Sequence, residues 1–315
     1  MDQNQQAPII PAPITANTNS ATPSLPKIGE LFSSAWKFYK INWKLLVGIA
    51  LVPAIVNFVA GVFASTGVGV IIAIPLYVFG IALSVVMPIV LIRTIDASYK
   101  GVAPTQNLTE KYKSAFGLFW SYLLIVIITA LSVMGGTVLF IIPGIIVALY
   151  VRMAIYTFIL ENKRGFEAVQ TSYVLVKGRL WQYFVRLFAV GLIMAIVSIV
   201  IGMVIGSIIS GKSASQNIVN LIAMSTFVPF FFVYEYNLFV AMKNTQSATE
   251  VSAPGKFKKW LIAFMTVGVV GMVATAIIVP IVIFTLAKTG LQNAQDMSKI
   301  QDAIRAQIEQ AQKAQ

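Results

Sequence analysis

The stretch LLVGIALVPAIVNFVAGVFAS, residues 45–65, has no charged side chain. At about 1.5 Å rise per residue, about 20 apolar residues in a helix cross a hydrocarbon core of about 30 Å. Further apolar segments follow at about 67–92, 115–134, 137–160, 183–209, 218–242 and 260–287. The sequence therefore predicts an all-α fold, a polytopic transmembrane helical bundle with seven spans.

The composition points to the same class. Of the 315 residues, 58% are hydrophobic and only 11% are charged, whereas soluble domains carry about 25% charged residues. The net charge of +12 could suggest a nucleic-acid ligand. The basic residues, however, stand in short loops beside the spans and form no separate basic domain. We therefore expect no nucleic-acid partner and a lipid bilayer as the surroundings.

The chain contains neither cysteine nor histidine. This excludes Cys–His and Ser–His–Asp catalysis, and zinc sites with His or Cys ligands. The 11 acidic residues form no carboxylate cluster suited to two-metal chemistry. We therefore expect no catalytic activity, no cofactor and no metal site.

The charges predict the orientation. Sixteen of the 23 basic residues precede the first span or lie in the loops after spans two, four and six; we call this end of the bundle the basic side. The alternate loops contain only Lys212. The positive-inside rule predicts that the basic side and the N-terminus face the cytoplasm. Seven spans then place the C-terminal tail outside, unless the segment at 260–287 is re-entrant.

The two ends of the chain differ from the spans. Residues 1–26 are rich in Pro, Asn, Thr, Ala and Gln and lack the basic start of a signal peptide, so we expect a disordered cytoplasmic tail. Residues 27–245 form the predicted six-span domain, and residues 246–290 a linker with the seventh span. Residues 291–315 are polar and either helical or disordered, with a thin apolar stripe at Met297, Ile300, Ile304 and Ile308.

The first six spans form three pairs, each introduced by a similar segment. These segments occupy residues 28–44, 108–122 and 166–184. Each passes from a Glu through a step of small polar and aromatic residues to further aromatic residues. An apolar aromatic face opposite a lysine-rich face is typical of amphipathic helices lying at the membrane surface. The alternative is that each segment forms the first turns of a long, tilted spanning helix.

Residues 142–192, IPGIIVALYVRMAIYTFILENKRGFEAVQTSYVLVKGRLWQYFVRLFAVGL, resemble a known family. Pro143-Gly144, Arg152, Glu161, Ser172 and Lys177-Gly178 carry the likeness. The segment is similar to the membrane domain associated with glycerophosphoryl diester phosphodiesterases and to its stand-alone relatives in bacterial inner membranes. The resemblance spans roughly residues 27–245. It implies a prokaryotic cytoplasmic membrane location but no hydrolysis, because in fused members a separate soluble domain carries the catalytic site.

Two charges lie inside spans. Arg152 is about eight residues, or about 12 Å, from the basic end of span four, and Glu235 lies at similar depth in span six. A charge within a span costs about 2.5–3.5 kcal/mol on insertion scales. We therefore predict that Arg152 and Glu235 form an ion pair inside the bundle. Alternatively, Arg152 snorkels to the headgroups and Glu235 is neutral, hydrogen-bonded to Asn237 or a tyrosine.

Other candidates stand near the ends of the spans. Arg93 is expected to anchor span two at the interface, and Ser172 and Lys177 lie in the third introducing segment. Glu161 is expected to orient the helix starting near Phe166, through Lys163 or Arg164. Prolines inside the spans are expected to kink them. They are Pro53, Pro75, Pro88, Pro143, Pro229 and Pro280.

Two classes of function remain. The first is a membrane protein without catalytic activity that organises the bilayer, binds anionic phospholipids on the cytoplasmic side, or anchors a protein partner that the sequence does not identify. The second is a transporter or lipid-moving protein with a site between repeat units near Arg152 and Glu235. A water-accessible cavity at the middle of the membrane, lined by both of these residues, favours the second class. A solid bundle packed with Gly, Ala and aliphatic residues favours the first.

Overall fold

The computed structural model describes residues 25–64, 69–102, 107–208, 212–245 and 255–313, with backbone alone for 212–215 and 290–313. Nearly all of the predicted N-terminal tail, and the side chains of the apolar stripe near the C-terminus, lie outside this description. The described part of the chain contains no strand. Seven helical segments are long and apolar enough to cross a membrane. These observations confirm the all-α, multi-pass bundle.

The first unit consists of two long helices. Helix α1 runs from Ile28 to Ala64 and α2 from Val70 to Tyr99. The first introducing segment and the first span thus form one continuous helix, so the alternative interpretation holds here. Pro53 in α1, and Pro75 and Pro88 in α2, lie within unbroken helices.

The second unit begins with a separate short helix, α3 (Leu108–Phe116). The side chain of Asn107 caps it, with Oδ1 accepting the backbone N–H of Thr109 at 3.1 Å, as N-cap residues do. Helix α4 (Phe119–Leu139) is the third span. The fourth span is divided into α5 (Ile141–Val151) and α6 (Ala154–Leu160).

The third unit repeats this order. It contains α7 (Gly165–Val176), α8 (Leu180–Ile208), α9 (Lys212–Ile222), a π-helical turn (Ala223–Phe227) and α10 (Val228–Asn244). Like α3, α7 is separate from the span that follows it. Its Ala168, Val169 and Ser172 are buried, and it packs on α4, α5 and α6. Part of the apolar face of α7 therefore contacts protein, where the sequence suggested lipid.

Helix α11 runs without a break from Gly255 to Lys313. A re-entrant segment needs a turn, so the continuous helix through Pro280 favours a full seventh span. The helix packs closely on α4. A Cβ at Gly135 would lie 1.7 Å from the carbonyl oxygen of Phe264, and one at Gly268 would lie 2.1 Å from that of Leu131. Backbones approach this closely only where residues are small, as is common between membrane helices.

Candidate functional site

The regular hydrogen bonding of the fourth span is interrupted at Arg152 and Met153, the residues between α5 and α6, although both keep right-handed helical dihedral angles. Such an interruption frees backbone carbonyl groups that must find other donors inside a membrane. Ser172 of α7 supplies one, because its hydroxyl donates to the carbonyl oxygen of Tyr150 at 2.6 Å. Arg152 itself follows the C-terminal end of α5, where the helix dipole favours a positive charge. The interruption thus positions the cation.

Arg152 and Glu235 form the predicted pair. The guanidinium donates from Nε to Oε1 of Glu235 at 2.7 Å and from Nη2 to Oε2 at 3.0 Å. Two parallel hydrogen bonds fix both planar groups. The hydroxyl of Tyr156 donates to Oε2 of Glu235 at 3.3 Å. The amide of Asn237 instead donates to Ser34, at 3.4 Å, so the expected alternative through Asn237 is not the arrangement found.

The two partners differ in exposure. The side chain of Glu235 is 0% exposed, whereas that of Arg152 is 44% exposed. Guanidinium has five N–H donors, and the carboxylate engages only Nε and Nη2. Among the described residues, Nη1 has no hydrogen-bond partner. The pair therefore leaves one edge of the cation open.

A cleft of about 540 Å³ adjoins Arg152. Its walls come from α2, α4, α5, α6 and α10, and we call it the Arg152 cleft. Its polar groups besides Arg152 are Tyr122 and Thr129, and the hydroxyl of Thr129 is bonded to the carbonyl oxygen of Ile125 at 2.9 Å. The remaining lining is apolar: Pro88, Ile125, Val126, Ala130, Val133, Met134, Ala148, Val151, Ala154, Ile155 and Phe232. One cation in an apolar cleft suits an amphiphilic anion.

Glu161 has a different partner from the one expected. It forms an ion pair with Lys243 of α10 at 2.8 Å, whereas Lys163 pairs with Glu167 at 2.6 Å. Helix α7 starts after Arg164 without a side-chain cap. The expectation that Glu161 orients α7 through Lys163 or Arg164 was therefore wrong. Its carboxylate instead joins the ends of spans four and six, because both end on the basic side.

The remaining candidates lie away from the cleft. Arg93 is exposed near the end of α2, which is compatible with an interfacial anchor. Lys177 is exposed at the end of α7 and lines a second groove. Ser172 contributes through the hydrogen bond to Tyr150 described above.

The sequence offered a tyrosine partner for Glu235 without identifying the residue, and it did not predict an aromatic ring beside Arg152. Tyr156 is fully buried, and the ring of Phe231 lies 5.4 Å from the guanidinium carbon of Arg152, within the range of a cation–π interaction. Both stand four residues from a member of the pair, Tyr156 from Arg152 and Phe231 from Glu235. This helical spacing was a usable signal in the sequence.

Comparisons of this chain with protein-family models, with curated proteins and with solved structures give no match.

Proposed function

We propose that this chain is a multi-pass membrane protein without catalytic activity that binds an anionic lipid in the Arg152 cleft. The observation that carries the proposal is the contrast within the ion pair. Glu235 is wholly buried, while Arg152 is 44% exposed beside an apolar cleft. The anionic group of the bound lipid would accept hydrogen bonds from Nη1 of Arg152. An acyl chain of the same lipid would lie along α4, in place of a bulk lipid chain.

The energetics favour an amphiphile over a small hydrophilic anion. The bound carboxylate already offsets the guanidinium charge, so the remaining donors add hydrogen bonds more than net attraction. The apolar walls offer few polar partners to a hydrated anion, which would lose much of its solvation on entry. A lipid brings its own apolar part and loses less.

The surroundings follow from the same proposal. The protein would reside in the cytoplasmic membrane of a prokaryote, with the basic side and the N-terminus in the cytoplasm, as the positive-inside rule predicts. The resemblance of residues 142–192 to the phosphodiesterase-associated membrane domain agrees with such a location.

Native mass spectrometry of the purified full-length chain tests lipid binding. We expect wild type to retain an anionic phospholipid that the charge-neutral double variant Arg152→Gln/Glu235→Gln loses. Arg93→Gln is the matched control, because it removes an exposed arginine outside the cleft. Equal retention of the lipid by the double variant would contradict the proposal, as would equal loss by Arg93→Gln.

A second candidate function is movement of lipid between leaflets. The observation that favours it is the cleft lined by Arg152 between spans of different units, since the substrate sites of many transporters lie between repeats near the middle of the bilayer. Vesicles containing the protein and a headgroup-labelled lipid would distinguish lipid movement from lipid binding alone, through the rate at which the inner-leaflet label becomes exposed. Faster exposure of the inner-leaflet label, abolished in Arg152→Gln/Glu235→Gln, would establish lipid movement, and no acceleration would restrict the function to binding.

A further inference from the structure

A second groove, of about 570 Å³, lies between α5, α7 and the start of α11. We call it the Lys177–Lys256 groove. One end carries these two lysines, and the rest is apolar or aromatic. Its aromatic lining includes Tyr150, Tyr173 and Phe257, and its apolar lining includes Val147 and Leu261. Val151 lines both this groove and the Arg152 cleft, so α5 separates them.

Aromatic stacking holds the entrance of the groove. The rings of Tyr173 and Phe257 are stacked, with their centroids 3.8 Å apart. The ring centroid of Tyr150 lies 4.8 Å from that of Tyr173. These contacts fix the start of α11 against α7. The groove is thus a feature of three packed elements.

The two lysines have no internal counterion among the residues with described side chains. Both are exposed. By contrast, Lys163 and Lys243 on the same side of the bundle are paired with Glu167 and Glu161. The charge at the mouth of the groove is therefore available to an external anion.

We infer that the groove binds one anionic phospholipid, with its phosphate between Lys177 and Lys256 and an acyl chain along Val147, Leu261 and Phe264. The inference rests on the proposed lipid-binding function for the class of ligand, but it concerns a separate site. Two ammonium groups beside an apolar channel match a phosphate joined to hydrocarbon. Lysines next to a membrane attract anionic lipids, and the aromatic walls suit the interfacial region.

Fluorescence quenching by brominated lipids tests the inference in the full-length chain. Trp260 lines the groove and is 65% exposed. The variant Trp36→Phe/Trp43→Phe/Trp120→Phe/Trp181→Phe leaves it as the single tryptophan. In vesicles, brominated phosphatidylglycerol is expected to associate with this site roughly tenfold more strongly than brominated phosphatidylcholine. Lys177→Gln/Lys256→Gln in the same background should bring the ratio close to one.

The matched control is Lys258→Gln/Lys259→Gln. It also removes two positive charges, both from α11 beside Lys256, at positions outside the groove lining, and should preserve most of the preference. An equal loss in the control would show diffuse surface attraction and overturn the inference. So would equal quenching by the two lipids in the parent variant, or an absence of quenching, which would indicate that another part of the chain fills the groove.

Lipid retention at the Arg152 cleft separates this result from the proposed function. Native mass spectrometry of Lys177→Gln/Lys256→Gln should show one anionic lipid fewer than wild type. The lipid that depends on Arg152 should remain. If the lysine variant keeps the full number, the groove inference fails while the proposed function stands.

Discussion

The two spans of the third unit, α8 and α10, differ sharply in how much of each helix is buried. In α8, only Tyr183 and Val190 are buried among the 29 residues. In α10, twelve of 17 residues are buried, including Glu235 and Asn237. The more polar helix lies inside, and the more apolar helix exposes almost its whole length.

The difference follows from the bilayer as solvent. Lipid tails are as apolar as leucine, so a wholly apolar helix gains little by leaving them. A carboxylate or an amide in lipid is costly unless it meets a partner. Helix α10 therefore takes the central position because it carries the groups that need partners. Arg152 and Tyr156 bond the Glu235 carboxylate, and Ser34 accepts from Nδ2 of Asn237, whose Oδ1 has no hydrogen-bond partner among the described residues.

The largest effect is expected at the centre of α10. Glu235→Gln leaves the Arg152 guanidinium without a carboxylate. Breaking a wholly buried pair costs roughly 3–5 kcal/mol, and because Arg152 is 44% exposed, we expect the lower end of this range, about 3 kcal/mol. We expect the free energy of unfolding in mixed micelles to fall by about this amount. The double variant Arg152→Gln/Glu235→Gln should recover most of it. Wild-type stability in the single variant would contradict the account of a buried pair.

The glycines of α4 and α8 differ in the same way, because Gly135 of α4 lies in a close contact with α11 and Gly202 of α8 does not. Gly135→Ala places a Cβ against the Phe264 carbonyl, and overpacking of this kind costs about 1–3 kcal/mol. We expect it to lower the cross-linking yield of a Val138→Cys/Gly271→Cys pair, which lies across the same contact. A Cβ at Gly202 of α8 would have no other atom within 4 Å, so Gly202→Ala should leave the cross-linking yield unchanged. Equal yields in all variants would show that α11 is not held by this contact.

Shortening single side chains of α8 tests the difference between its exposed and buried positions, with smaller expected effects. Ile199 is 60% exposed and Val190 is 1% exposed. Ile199→Ala should change the free energy of unfolding by less than about 0.5 kcal/mol, whereas Val190→Ala should cost about 1 kcal/mol or more. A reversed order in the measured stabilities would mean that another surface covers Ile199.

The smallest effect is expected outside the spans, on α3. Burial lowers the pKa of the Lys111 ammonium, whose Nζ donates to Thr94 at 3.1 Å. The folded chain then binds this proton less tightly than the unfolded chain. The contribution of Lys111 to stability therefore rises with pH between its lowered pKa and about 10.4, the ordinary value for lysine.

The difference in unfolding free energy between wild type and Lys111→Met, measured from about pH 8 to about pH 10.4, should show this rise. Tyr112 titrates in both proteins, so the difference isolates Lys111. Lys113→Met, on the exposed side of α3, is the control. A flat difference for Lys111→Met would contradict the predicted effect of burial.

The seven spans and the central pair could be predicted because each follows from a large free-energy term. Span positions depend on the length of apolar segments, and the pairing of Arg152 with Glu235 on the cost of unpaired charge. The interruption of span four could not be predicted in this way. Helices α1, α2 and α11 continue through Pro53, Pro75, Pro88 and Pro280, while the interruption falls at Arg152 and Met153. It is stabilised by Ser172 from another helix, and such tertiary bonds leave no local pattern.

The partner of Glu161 shows the same limit. Lys163 is two residues away and Lys243 is 82 residues away, so proximity in sequence favoured the wrong lysine. Lys163 instead meets Glu167 one helical turn along. Only the packing of α6 and α10 brings Lys243 to 2.8 Å from Glu161.

Lipid binding beside the Arg152–Glu235 pair can be observed directly in an electron cryomicroscopy map of the full-length chain in nanodiscs that contain anionic phospholipid. We expect the map to show the Arg152–Glu235 pair and an elongated density in the Arg152 cleft. The head of that density should lie within hydrogen-bonding distance of Nη1 of Arg152. A cleft filled by side chains, or Arg152 turned away from Glu235 toward the headgroups, would contradict the proposal.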